Sequence, residues 1–133
     1  MSGIRQRRFW LLGTLSSQAA ARAGRDALAR IPQLDPSCVD CLINCSVSRD
    51  FVEPATSTAV HRLLDFGNRV MNFDISNACL GMMSGVLMLA NMVELDQIRA
   101  GLAVCGENAG PLIENMVARL NADMTQTRRT VKD

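Results

Sequence analysis

The sequence is poor in aromatic residues and nearly free of histidine. Its 133 residues include four Phe, one Trp, no Tyr and one His, whereas 48% are apolar and 20% are charged. So few aromatic side chains argue against a β-sandwich and against a surface that stacks nucleic-acid bases. The high apolar content argues against a disordered chain. A packed interior of the helical or α/β kind is therefore favoured.

Long apolar runs are missing as well. The N-terminal segment offers only the apolar residues 9–12, too few for the hydrophobic centre of a secretory signal. The longest run, Cys79 to Val93, contains Gly, Ser and Asn and is shorter than the roughly 20 residues that cross a bilayer. We therefore expect a cytoplasmic protein without a membrane span.

Basic charge is scarce outside the N-terminal segment. Residues 1–30 hold six Arg and one Asp, whereas residues 31–127 hold five basic and eleven acidic residues. The basic start is thus local, and it lacks the interleaved aromatic residues of a nucleic-acid surface. We expect no nucleic-acid partner.

Apolar periodicity predicts four helices and three strands in alternation. The helices are expected over residues 18–31, 56–65, 79–93 and 111–120, and the strands over 38–47, 70–75 and 99–107. This order predicts parallel βαβ units in one α/β domain spanning residues 1–133. Three strands are few for such a domain, and no strand precedes the first helix. We therefore expect the chain to be part of a larger fold.

The predicted helix 79–93 is apolar almost all round. Such a helix is expected to be buried on every side. Gly81 and Gly85 lie four residues apart, so one stripe of the helix lacks side chains and another element can approach it closely.

Cys79 is the candidate nucleophile. It follows the predicted strand 70–75 after the short corner 76–78 and lies at the first turn of the buried helix. The free amides and the positive end of the helix dipole stabilise a thiolate there. By spacing alone, a small residue that fills a strand–helix corner is the alternative interpretation.

The other cysteines and the histidine are weaker candidates. Cys38, Cys41 and Cys45 have a spacing that could suggest zinc or an iron–sulfur cluster, but along a strand they point to different faces. We therefore predict no metal, and we expect Cys105 to be strand core. His61 is expected to be a surface or hydrogen-bonded histidine without a catalytic partner.

One segment resembles a known family. Residues 73–81, Phe-Asp-Ile-Ser-Asn-Ala-Cys-Leu-Gly, resemble the nucleophile segment of the thiolase superfamily, specifically of β-ketoacyl-acyl-carrier-protein synthase III. Gly3-Ile4-Arg5 with Arg7-Arg8 is similar to that family's Gly-Ile-x-x-Arg-Arg segment, and residues 102–107 resemble its next core strand. The likeness runs in order through nearly the whole chain.

The resemblance implies a fold, a reaction and an assembly. The family has a five-layered αβαβα thiolase fold, works as a dimer, and performs a ping-pong Claisen condensation on acyl-CoA or acyl-carrier-protein thioesters. Cys79 would accept the first acyl group, and a carbanion formed on a second thioester would then attack it. The resemblance implies no metal, nucleotide or prosthetic group.

Within the superfamily, the sequence is most similar to the branch that joins two fatty acyl chains head to head in olefin biosynthesis. In that branch, a glutamate just before a loop proline reaches the partner's cysteine and serves as base. Glu53, which precedes Pro54, matches it; by itself Glu53 would be an ordinary solvated loop carboxylate. Asn77 and Leu80 also differ from the Ala and small residue common in the short-chain starter enzymes.

The chain departs from the family in length. The family's catalytic His and Asn and a glycine of its oxyanion hole lie in the second half, which this sequence does not contain, and the opening strand is missing. We therefore expect an N-terminal portion of a condensing enzyme. One alternative is an inactive truncated fragment that serves at most as a structural or dimerisation unit; another is a metal or redox module built on the three clustered cysteines.

Overall fold

Three short parallel strands form the centre of the fold. The computed structural model describes residues 5–6 and 8–130, so that Gly3, Ile4 and Arg7 of the N-terminal motif lie outside the described residues. The strands are β1 (Val39–Asn44), β2 (Met71–Asp74) and β3 (Ala100–Val104), and they are ordered β2-β1-β3 in one sheet. Both neighbours of β1 run parallel to it. The predicted parallel α/β sheet is confirmed.

The helices alternate with the strands as predicted. They are α1 (Ser16–Ala29), α2 (Thr56–Leu63), α3 (Gly81–Glu94) and α4 (Gly110–Thr130), with short 3₁₀ turns at Pro36–Cys38 and Ala78–Leu80. The largest difference from the predicted bounds is at α4, which continues to Thr130 through a polar segment where apolar spacing gives no signal. Among the described residues, no helix combines the length and the apolar character needed to cross a bilayer.

The chain divides into two compact units. One comprises residues 13–107 with the sheet and α1 to α3, and the other comprises the described residues within 1–12 and 108–133, with α4. In the second unit, Met116, Val117 and Leu120 of α4 are about half exposed.

Strand β1 is buried on both faces because helices cover the sheet on both sides. On one side, Leu42 packs with apolar residues of α1 and α2. On the other side, Cys41, Ile43 and Cys45 form a second apolar cluster with Leu89 of α3. This burial explains why β1 has no alternation of apolar and polar residues: a strand covered on both faces places every side chain in the interior.

The prediction that α3 is buried on every side is wrong for this chain. Gly81, Gly85 and Leu89 are buried against the sheet, but Met83 and Leu87 are 66% and 63% exposed. Nothing in the described part of the chain packs on that outer face. The composition of α3 indicates a helix enclosed by protein, and the described residues enclose only one side of it.

Candidate active site at the carboxyl edge of the sheet

Cys79 lies at the corner between β2 and α3. It is the middle residue of the 3₁₀ turn that ends at Leu80, and α3 begins directly after it at Gly81. Its neighbour Ala78 has a φ of 43°, a left-handed conformation that costs energy for a residue with a Cβ. The side chain of Asn77 donates a hydrogen bond of 2.9 Å to the Ser84 hydroxyl and so ties the corner to the helix. The sequence-based placement of Cys79 at the start of the helix is confirmed.

The thiol of Cys79 is exposed, whereas the sequence predicts a buried one. The difference has the same cause as the open face of α3, because Leu80 and Met83 beside it are 60% and 66% exposed. The sequence therefore predicts the position of Cys79 in the fold correctly but not its exposure to solvent.

The start of α3 fits closely against the end of β1. A Cβ at Gly81 would lie 2.6 Å from the carbonyl oxygen of Cys45, and a Cβ at Gly85 would overlap the Cys45 Sγ. The two glycines thus allow the contact between helix and strand that the sequence predicts, and this contact fixes the corner that carries Cys79.

The remaining cysteines are shielded to different degrees. Cys41 and Cys45 are buried, and burial raises the pKa of both thiols, that of Cys45 to about 11 with further contributions from Cys105 and Asp74. Cys105 is half-buried and follows β3 rather than lying within it; burial raises its pKa, and the nearby Glu107 carboxylate adds to the effect. These three thiols are therefore held in the unreactive protonated form near neutral pH.

We expect Cys79 to be alkylated by iodoacetamide at least tenfold faster than Cys105 at pH 7.5. The physical reason is that Cys79 is exposed, whereas the Cys105 thiol is half-buried with a raised pKa. Peptide mapping by mass spectrometry gives both rates in one sample. In urea the two rates should converge; equal rates in the folded protein would contradict the argument.

The three clustered cysteines do not converge. Cys38 lies in the turn before β1, while Cys41 and Cys45 point from β1 into the cluster beneath α3. Within residues 5–6 and 8–130, no group of three or more His, Cys, Asp or Glu side chains is arranged to hold a metal ion. The geometry gives the metal or redox alternative no support.

Glu53 lies in the loop between β1 and α2 and is exposed. Its neighbours Phe51 and Val52 are 61% and 87% exposed, and the Glu53–Pro54 peptide bond is cis. The described structure records no hydrogen bond that joins Glu53 to Cys79.

His61 has structural partners. Its Nε2 lies 3.2 Å from the carbonyl oxygen of Gly67, and its ring makes an edge contact with Phe66 at a centroid distance of 5.9 Å. The predicted hydrogen-bonded histidine is confirmed.

Asp74 is a functional candidate that the sequence argument missed. It ends β2, and its carboxylate accepts hydrogen bonds from the backbone N–H groups of Thr56 (2.9 Å) and Ser57 (2.8 Å). The side chain of Asn44 donates a third bond of 3.3 Å to it. Asp74 thus joins the strand that leads to Cys79 to the first turn of α2, which follows the Glu53 loop. No local pattern in the sequence points to this contact, because Asp74 lies 18 residues after Thr56.

We expect Asp74→Ala to lower the free energy of unfolding by about 2 kcal/mol. The substitution leaves the first N–H groups of α2 without their acceptor, and loss of a helix cap or of hydrogen bonds to a carboxylate costs about 0.5–3 kcal/mol. Urea denaturation followed by circular dichroism measures the change. Asp26→Ala, at an exposed position of α1, is the matched control and should change stability by less than about 0.5 kcal/mol. Equal midpoints for the two variants would show that Asp74 does not hold α2.

A second group of polar contacts joins β1 and β3 at the same edge. The buried Ser46 hydroxyl donates to the Asn44 Oδ1 (2.8 Å) and accepts from the N–H of Gly106 (2.8 Å). The Ser16 hydroxyl donates to the carbonyl oxygen of Gly106 at 2.5 Å. Glu107 accepts from the N–H groups of Val47 and Ser48 at 2.6 and 3.0 Å and from the Ser48 hydroxyl at 2.7 Å. Burial raises the pKa of Glu107, but these hydrogen bonds outweigh it, so that the pKa is lowered. These contacts tie the segments that follow β1 and β3 to each other and to α1.

The fold, with its parallel sheet and the cysteine at the strand–helix corner, is part of the thiolase-like fold. The chain is homologous to acyl-thioester condensing enzymes, as the sequence resemblance predicts. No family model matches it.

Acyl-CoA:acyl-CoA alkyltransferases are among its relatives. The protein of Xanthomonas campestris is 36% identical over 95% of this chain and 37% of its own length, and that of Shewanella oneidensis is 36% identical over 94% and 36%. The β-ketoacyl-[acyl-carrier-protein] synthase III of Symbiobacterium thermophilum is 38% identical over 65% and 26%. The chain therefore spans about a third of the length of the curated relatives it matches.

Solved structures agree with this relationship. Cerulenin-bound Xanthomonas campestris OleA superposes with a TM-score of 0.80 at 37% identity, over 85% of this chain and 34% of that chain. The acetamide-bound form gives a TM-score of 0.79 over the same shares.

Proposed function

We propose that this chain is the nucleophile-bearing portion of an acyl-thioester condensing enzyme, and that Cys79 is its acyl acceptor. One observation carries the proposal: Cys79 is exposed at the corner between β2 and α3, within a fold that superposes on OleA with a TM-score of 0.80. A helix start is a favourable place for a thiolate, because its free N–H groups and dipole stabilise negative charge.

The first step is thioester exchange. The Cys79 sulfur attacks the carbonyl carbon of an acyl-CoA or acyl-carrier-protein thioester, the bond from that carbon to the donor sulfur breaks, and the donor thiol leaves with the proton. The acyl group is then held on Cys79. This step needs a thiol and a thioester and involves no prosthetic group.

The second step forms the carbon–carbon bond. A base removes a proton from the α-carbon of a second acyl thioester, the resulting carbanion attacks the acyl carbonyl on Cys79, and the Cys79 thiolate leaves. We assign the base to Glu53. The names of the alkyltransferase relatives, which give acyl-CoA as both substrates, support a second acyl-CoA in this step.

The exposed loop around Glu53 supports a dimeric arrangement. Phe51 and Val52 point into solvent beside Glu53. In a homodimer, Glu53 of one subunit would approach Cys79 of the other, and the apolar loop residues would be covered by that contact. We further propose that the enzyme works in the cytoplasm on fatty acyl thioesters.

The proposal is tested with a long-chain acyl-CoA. Incubation with myristoyl-CoA should add one acyl group to the Cys79 peptide and release free CoA, and intact-protein and peptide mass spectrometry measure both. The base assignment has a separate readout: in D₂O, exchange of the α-protons of the acyl thioester should be at least tenfold slower with Glu53→Gln. Exchange at equal rates would remove Glu53 from the mechanism.

An inactive scaffold is the second candidate. The open face of α3 and the match to only about a third of the relatives favour it. A chain that folds but forms no acyl adduct with any acyl-CoA would establish this alternative.

A further inference from the structure

Cys45 and Cys105 lie opposite each other where β1 and β3 end. The two strands are parallel and in register up to the pair of Asn44 with Val104. The N–H of Cys45 donates a hydrogen bond of 2.7 Å to the carbonyl oxygen of Val104, so the register continues to Cys45 with Cys105. Neighbouring strands are about 4.8 Å apart. This separation lies within the Cα–Cα range of about 4.4–6.8 Å that a disulfide spans.

Both side chains belong to the side of the sheet that α3 covers. Cys45 is buried in the apolar cluster beneath α3, and Ala103 packs against the same cluster. Because side chains alternate along an extended segment, Cys105, two residues after Ala103, lies on this side as well. Burial raises the pKa of Cys45, and the Cys105 thiol adds to this effect, so the two groups are close enough to interact.

Cys41 shows what the same strand looks like without such a partner. It is as deeply buried as Cys45 and belongs to the same cluster, but its register partner on β3 is Gly101. Gly101 lies four residues before Cys105, which is about 13 Å along the strand. A disulfide spans at most about 7 Å between Cα atoms, so Cys41 cannot reach Cys105 without a change of register. The pair of Cys45 with Cys105 is thus distinct from the N-terminal group of three cysteines, whose members do not converge.

We propose that Cys45 and Cys105 are a site of disulfide formation, which cross-links the ends of β1 and β3 when the protein meets a small disulfide such as glutathione disulfide. Cys105 is the more accessible of the two, and its sulfur is held only by a contact of 3.6 Å to the Glu107 Oε1. The proposal goes beyond the proposed function, since it does not require acyl transfer.

The reaction proceeds in two exchanges. The Cys105 thiolate attacks one sulfur of glutathione disulfide, the bond between the two glutathione sulfurs breaks, and one glutathione thiolate leaves. The Cys45 thiolate then attacks the Cys105 sulfur of the mixed disulfide, and the second glutathione thiolate leaves. The two protons of the protein thiols pass through water to the glutathione thiolates. Two protein thiols are thereby oxidised to one disulfide, and glutathione disulfide is reduced to two thiols.

The surroundings of the pair determine how the bond behaves. Burial raises the pKa of both thiols. Only a thiolate attacks, so the bond forms slowly at neutral pH. Thiols of high pKa are also poor leaving groups, so other thiols cleave the finished bond slowly. The pair is therefore suited to a lasting cross-link and not to rapid redox cycling.

Mapping of disulfides after oxidation tests the proposal. The 133-residue chain is incubated with glutathione disulfide at pH 8.5, the remaining thiols are blocked with iodoacetamide, and the digest is sequenced by tandem mass spectrometry. We expect the Cys45–Cys105 disulfide to be at least tenfold more abundant than any other pairing within the chain, including Cys41–Cys105. In urea this preference should disappear, because it depends on the register of the strands. A different dominant pair in the folded chain, or no disulfide at all, would overturn the proposal.

Two alanine variants provide the matched comparison. Trypsin leaves Cys41 and Cys45 together in residues 31–49 and Cys105 in residues 100–119. Cys45→Ala should abolish the cross-link between these peptides and leave glutathione on Cys105. Cys41→Ala, at an equally buried position of the same strand, should leave the cross-link within twofold of the unchanged chain. Equal effects of two folded variants would overturn the proposal, and neither readout depends on acyl transfer.

Discussion

Gly106→Ala is expected to lower the free energy of unfolding by about 3 kcal/mol, the upper end of what overpacking usually costs. A Cβ at this position would overlap the backbone N of Ala20 and the carbonyl oxygen of Ser16, both in the first half of α1. Backbone atoms within a helix cannot rotate away as the end of a flexible side chain can. Relief therefore requires α1 to separate from the segment after β3.

That separation would also break hydrogen bonds at the carboxyl edge of the sheet. The carbonyl oxygen of Gly106 accepts from the Ser16 hydroxyl, and its N–H donates to the Ser46 hydroxyl, which is buried. Each buried polar group left without a partner adds about 1–3 kcal/mol. The substitution thus combines a steric cost with a polar one.

Urea denaturation followed by circular dichroism measures the effect. Gly67→Ala is the matched control, because no atom lies within 4 Å of the Cβ position at Gly67. We expect the control to change stability by less than about 0.5 kcal/mol. Equal midpoints for Gly106→Ala and Gly67→Ala would show that the contact between α1 and the end of β3 is not as close as described.

Cys79→Ala is expected to abolish acyl transfer from myristoyl-CoA, with a loss of at least a hundredfold in the rate of adduct formation. The reason is chemical, since alanine has no nucleophile and three of the other four thiols are poor substitutes. Cys41 and Cys45 are buried with raised pKa values, and the pKa of Cys105 is raised by burial and by Glu107. Cys79→Ser should also fail, because a serine hydroxyl without an adjacent base is a weak nucleophile.

Intact-protein mass spectrometry over time gives the rate of adduct formation. Cys105→Ala is the matched control and should acylate within twofold of the unchanged chain. An adduct that forms on Cys79→Ala at the original rate would place the acyl group elsewhere and remove Cys79 from the mechanism. Circular dichroism verifies that the Cys79→Ala variant is folded. A loss of adduct formation in a folded variant is then due to the missing thiol.

Much of the fold could be predicted from short-range pattern. The apolar run of β1 indicated a doubly covered strand, and the alternation of helices and strands indicated a parallel sheet; both are confirmed. The corner between β2 and α3 was also predictable, because a strand, three small or polar residues and a glycine-containing apolar helix follow one another directly. These features depend on residues that are neighbours in sequence.

Contacts between residues that are far apart in the sequence could not be predicted from local apolar spacing. Nothing near Thr56 in the sequence shows that its N–H is capped by Asp74, 18 residues later. The burial of Cys79 and of α3 was predicted from composition alone, and this prediction is wrong in this chain. Composition shows that the apolar side chains of a helix favour burial, but it does not show which segment would cover them.

The sequence by itself determined the order of the elements, the parallel sheet and the position of Cys79 at the start of α3, because each follows from local periodicity and from where a helix can begin. Only the tertiary structure decided that Cys79 is open to solvent, that Asp74 holds α2, and that one face of α3 has no neighbour among the described residues. Those properties depend on which distant surfaces meet, and the apolar spacing of a helix is the same whether its outer face is covered or bare.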